Sequence, residues 1–98
     1  MVYLICYDLK EPNDSPADYE RLIKAIHAGY TAWRLQESAW ILDVDSSNAV
    51  MAIRDHLQRH LKSGDQLFVT RVDEWAANGT LPKEKTEWLS NKTYYHTS

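Results

Sequence analysis

The sequence predicts an α+β domain with the element order βαββαβ, and three observations carry that expectation. An unbroken apolar run opens the chain at Val2, two stretches repeat apolar residues at helical spacing, and strand-like runs lie on either side of each. At 98 residues the chain holds one hydrophobic core and is too short for two. Apolar residues make up 44% and charged residues 26%, which places it among ordinary globular domains and away from disordered or membrane-embedded chains.

Val2-Tyr3-Leu4-Ile5-Cys6-Tyr7 is rich in β-formers and apolar on both alternations, as a central strand is. Asp8 follows it, and the turn-forming stretch from Glu11 to Pro16 ends the strand near Leu9. Ser15, with Pro16 next and Asp18 three positions on, makes an N-cap with a short-armed capping box. Tyr19, Leu22, Ile23 and Ile26 then form one helical stripe, and Gly29 is expected to end the helix in the left-handed conformation. Two strands follow, about Trp33 to Gln36 and Ala39 to Val44, with a tight connection or bulge at Glu37-Ser38. Asp45 to Asn48 offers capping side chains for a second helix, whose buried side is Val50, Ile53, Leu57 and Leu61 and which ends before Gly64. Leu67 to Val72 is the fourth strand. A helix thus stands twice between strands that a right-handed crossover brings parallel. The expected packing is a ferredoxin-like βαββαβ sandwich, a four-stranded antiparallel sheet with two helices on one face. That domain spans residues 1–77; residues 78–98 form a C-terminal extension. Trp75, Trp88 and Leu89 are expected to dock on the open sheet face or on a partner subunit.

Val2 to Tyr7 is far too short to span a bilayer and lacks the flanks of a secretion signal. Cys6 is the sole cysteine, so no disulfide forms within the chain, and its apolar setting reads as a small buried hydrophobe. A reducing cytoplasm fits both. The net charge of −3 argues against a surface that attracts nucleic acid everywhere, and leaves room for a local basic face. There is no phosphate-binding glycine loop, catalytic triad order or paired-cysteine motif.

Four groups of residues bear on function. Asp8, at the carboxyl end of the first strand, is the candidate for chemistry, against the plain alternative of a turn-capping Asp. Arg34 and Arg71 on strands, and Arg54, Arg59 and Lys62 on the second helix, are candidate contacts for a phosphate backbone. His56 and His60 share one helix face at metal-ligand spacing, with no third ligand near in sequence. Tyr3, Tyr7, Trp33 and Trp40 are core or interface aromatics, or else a platform for stacked bases.

Tyr7-Asp8-Leu9 closing the first strand, Arg34 to Trp40 across the second and third, the strand from Leu67 to Val72 and a late Glu74-Trp75-Ala76 together resemble the CRISPR-associated Cas-two family, and more closely its stand-alone SinR-like relatives. The resemblance covers about residues 1 to 77. It implies a ferredoxin-like homodimer in which Asp8 of each copy faces a shared axis, where Mg²⁺ or Mn²⁺ supports phosphodiester hydrolysis. It also implies an architectural role for members that hold DNA without cutting it. Where many members add a short strand to the partner's sheet, this chain carries a longer tail. The residues leave two other readings open. One is a non-catalytic protein-interaction module of antitoxin, immunity or scaffold type, and the other is small-ligand sensing between paired sheets.

Overall fold

The computed structural model describes residues 1–92; the last part of the expected extension, residues 93–98, lies outside the described residues. Its elements run β1 (Val2–Asp8), α1 (Pro16–Gly29), β2 (Thr31–Gln36), β3 (Ala39–Asp43), α2 (Val50–Gln58), β4 (Gln66–Val72) and α3 (Lys83–Lys92). Four strands form one sheet in the order β2-β3-β1-β4, with every neighbouring pair antiparallel. The strands joined through α1 run parallel but are not neighbours, because β3 lies between β1 and β2. In the same way β1 lies between β3 and β4. The arrangement is compatible with a ferredoxin-like one and differs from the expected sandwich in its third helix.

Alternation along β1 explains both faces. Tyr3, Ile5 and Tyr7 point to one side and join Trp40 and Leu42 of β3 under Leu22 and Ile26 of α1 and Ile53 and Leu57 of α2. This is the main core, and Tyr3, Ile5, Leu22, Ile26, Leu42, Ile53 and Leu57 are all fully buried. Val2 and Leu4 point to the other side, where they meet Ile41, Leu35, Val72, Trp75 and, from α3, Trp88 and Leu89. An unbroken apolar first strand was therefore a sign of cover on both sides. The expectation of helices on one face alone is corrected: α1 and α2 cover one face and α3 half-covers the other. Leu89 is the buried anchor of α3, and its burial contributes about 1.5–3 kcal/mol.

Local chemistry fixes the helix ends. At α1 the capping box forms as expected: the Asp18 amide donates to Ser15 Oγ at 3.2 Å, and the Ser15 amide donates to Asp18 Oδ2 at 3.2 Å. Gly29 does not end α1 in the left-handed region. The helix runs out into an extended Tyr30, and Gly64 is the glycine with positive φ, at 90°. What Gly29 provides is close approach, since a Cβ there would lie 2.9 Å from His56 Nε2. At α2 none of the side chains from Asp45 to Asn48 caps the helix; the N-cap is Ala49, without a side-chain hydrogen bond. The buried Tyr3 hydroxyl takes over, accepting from the Ala49 amide at 3.1 Å and donating to the Ser46 carbonyl. α2 also ends earlier than its apolar spacing implies. The His60 and Leu61 amides turn back to the carbonyls of Leu57 and Gln58, which tightens the chain and leaves Leu61 and Lys62 beyond the helix.

The β2–β3 pairing slips between Arg34 and Gln36, so Leu35 is the extra residue of a bulge. Its carbonyl accepts from Lys85 Nζ of α3 at 3.0 Å. No helix among the described residues is long and apolar enough to cross a membrane.

Candidate functional site

Asp8 is the last residue of β1 and pairs with Gln66 of β4. Alternation puts its side chain on the face of Val2, Leu4 and Cys6. It stands at the end of that face which α3 does not reach. There it shares a shallow cleft of about 220 Å³ with Cys6, Tyr7, Gln66, Leu67 and Phe68. The carboxylate is exposed and makes no side-chain hydrogen bond or ion pair among the described residues. Turn capping is therefore not what Asp8 does. That task falls to Asp65, whose two carboxylate oxygens accept from the Lys10 and Lys62 amides, each at 2.8 Å, and so tie the loop after β1 to the loop before β4. The only sequence sign of this clamp was the turn-forming Ser63-Gly64-Asp65.

The surroundings of Asp8 are apolar. Phe68 is 63% exposed beside it, an unusual position for a large hydrophobe. Cys6 is half-buried, and burial raises its thiol pKa, so it stays protonated at neutral pH. This agrees with its reading as a packed thiol.

The five expected basic contacts are scattered. Arg71 opposes Tyr3 on β4 while Asp8 opposes Gln66. That is five residues along the strand, roughly 17 Å, and on the other face. Its guanidinium donates to the Ser47 carbonyl at 2.8 Å and to Asp73 at 3.1 Å, and Asp73 raises its pKa further. Arg54 is paired with its neighbour Asp55 at 2.9 Å. Arg34 lies on the helix-covered face, its guanidinium 4.9 Å from the centroid of the Trp40 ring. Arg59 closes α2 and Lys62 follows it; both are exposed and lack an ion pair among the described residues. None of these cations shares the cleft of Asp8.

His56 and His60 have ring centroids 6.1 Å apart, and Tyr30 and His56 meet edge-to-face with centroids 5.6 Å apart. No group of three His, Cys, Asp or Glu side chains that could hold a metal occurs among the described residues. The aromatics do not make a platform. Tyr3, Tyr7 and Trp40 are buried beneath the helices, while Trp33, 40% exposed, leans on Trp88 on the opposite face. The signal missed in the sequence was the pairing of Tyr7 with Trp40, whose indole Nε1 donates to the Tyr7 hydroxyl at 2.8 Å. No protein-family model matches the chain.

Proposed function

We propose that the chain acts in the cytoplasm as a nucleic-acid-associated homodimer of ferredoxin-like, Cas-two-like design, with Asp8 of each copy facing the other across a two-fold axis. One observation carries this reading. Asp8 is exposed and unpaired among the described residues, at the end of the sheet face that α3 leaves bare, next to a largely exposed Phe68. An isologous contact through that end covers Phe68 and brings together two Asp8 carboxylates, of which a single chain supplies one.

The donor set decides which metal suits the site. Carboxylate oxygen alone favours Mg²⁺ or Mn²⁺, which accept one or two carboxylates and complete their shell with water and substrate phosphate. Asp8 of one chain is insufficient, so the site exists only in the dimer. When bound, the ion supplies Lewis acidity toward a phosphodiester. Asp8 orients it, and Phe68 and Cys6 exclude water at the contact. Of the five expected cations, Arg54 and Arg71 are paired with Asp55 and Asp73, which leaves Arg59 and Lys62 after α2 and Arg34 on the helix-covered face for the nucleic-acid backbone. With one carboxylate per subunit and little positive charge to capture substrate, the chain is a weak nuclease at most.

The test incubates the purified protein with single- and double-stranded RNA and DNA, in Mg²⁺, Mn²⁺ or chelator, beside Asp8→Asn, with mass measured in solution. A dimer whose metal-dependent cleavage disappears in Asp8→Asn supports the reading. A monomer, or cleavage indifferent to the substitution, refutes it.

One feature favours a protein-interaction module instead. Met51 and Phe68, each 63% exposed, flank the outer edge of β4, which is unpaired among the described residues. Edges of this kind accept an extended segment from another protein. A dimer that binds no nucleic acid and loses a protein partner on Phe68→Ser favours this second reading.

A further inference from the structure

On the sheet face opposite Asp8, a cleft of about 330 Å³ opens between α1 and the β2–β3 turn. It is lined by Tyr7, Tyr19, Ile23, Arg34, Glu37 and Ser38. Its hydrogen-bonding capacity is unbalanced. The Tyr7 oxygen accepts from the Trp40 indole at 2.8 Å, and the Tyr19 oxygen accepts from the Leu9 amide at 3.3 Å. Both of those partners can only donate, so each phenol keeps its own proton to give, and neither gives it within the described residues. The Ser38 hydroxyl is likewise without a partner among them. The Arg34 guanidinium carbon lies over the Trp40 ring, 4.9 Å from its centroid, and no carboxylate pairs with it among the described residues. The cation–π contact keeps the guanidinium over the ring while leaving its N–H donors open.

A guanidinium, two phenols and a hydroxyl in one cleft call for a ligand rich in acceptors, and a carboxylate matches the fork in two-pronged fashion. Glu37 adds the opposite requirement. It is exposed, lies on the same lining and has no cation of its own among the described residues. With one cation and one anion the lining is formally neutral, which disfavours a dianionic phosphate and suits a ligand carrying both charges. Ile23 and the Tyr19 ring supply apolar surface for its remainder. The volume is at the small end of ligand pockets.

We propose that this cleft binds a small zwitterion of the amino-acid class, its carboxylate on Arg34 with the Tyr7, Tyr19 and Ser38 hydroxyls, and its ammonium on Glu37. The site is independent of Asp8, so the failure of a nuclease assay leaves it untouched.

The experiment titrates the full chain with the common amino acids, N-acetylated amino acids and inorganic phosphate to about 10 mM, enough to detect a Kd of about 1 mM. Binding is followed by calorimetry and by the NMR signal of the Trp40 indole N–H. An amino acid is expected to bind and to shift that signal, with Arg34→Gln and Arg34→Lys each weakening it about ten- to a hundred-fold. Glu37→Gln is expected to abolish the preference for the free amine over its N-acetyl form. Near-UV circular dichroism shows that the variants keep the core. Binding of phosphate alone, no binding at all, or amino-acid binding unchanged in both Arg34 variants overturns the proposal.

Discussion

Replacing Tyr3 by Phe removes one oxygen atom and tests how α2 is held. Tyr3 is fully buried, and its hydroxyl joins two backbone groups more than forty residues away, accepting from the Ala49 amide and donating to the Ser46 carbonyl. Ser46 is exposed, so its carbonyl regains a water molecule at little cost. Ala49 is buried, with 6% of its surface exposed, and as the N-cap of α2 it has no side chain to substitute. The loss is thus dominated by one buried N–H left without an acceptor, about 1–3 kcal/mol. Against a total stability of about 5–15 kcal/mol this is a large fraction. At about 4–8 °C per kcal/mol for a domain of this size, a 2 kcal/mol loss lowers Tm by about 8–16 °C. Urea unfolding followed by circular dichroism measures it. The midpoint should fall with the slope unchanged, and hydrogen exchange at the first turn of α2 should accelerate. A change below about 0.5 kcal/mol with unaltered exchange would show that the hydroxyl does not cap the helix.

Two further outcomes follow from the helix ends. Hydrogen bonds from Ser15, then from Arg21, hold the Asp18 carboxyl down at about 2. A depressed carboxylate stabilises above its unfolded pKa of about 3.9 and loses that contribution as pH falls toward 2. The acid limb of the urea midpoint between about pH 4 and 2 should therefore be shallower in Asp18→Asn, and parallel limbs would refute the assignment. Gly29→Ala sets a helix-propensity gain of up to about 1 kcal/mol against a new Cβ placed 2.9 Å from His56 Nε2 and 3.4 Å from its Cδ2. Since Tyr30 holds that imidazole edge-on, the substitution is expected to lower Tm in the natural chain and raise it in His56→Ala; equal shifts in both backgrounds would disprove the contact.

What could be read in the sequence was whatever neighbours in sequence decide. The capping box of Ser15 and Asp18 closes within one helical turn, and the apolar run of β1 and the stripe from Tyr19 to Ile26 are periodic. Those signals gave the strands, the first helix and the placement of Asp8 at a strand end. Gly29 was identified as important, but the physical reason was the imidazole of another helix rather than backbone handedness. The helix from Lys83 to Lys92 is not legible in the sequence because its two apolar residues, Trp88 and Leu89, are adjacent and show no helical period, and Leu89 alone is buried.

The candidate sites show the same division more sharply. Composition and order alone determined that one α+β core forms around the first strand and that Asp8 ends it. Only the tertiary structure decided that Asp8 shares its cleft with Phe68 rather than with an arginine, that Arg71 is committed to Asp73, and that Arg34 lies over Trp40 on the opposite face. Pleating turns each strand residue to a face set by its register, and register is set by partners such as Asp8 with Gln66, far apart along the chain. A hydroxyl on β1 capping a helix that begins at Val50 is the same effect, since contact across the sheet answers to geometry that no local run of residues encodes.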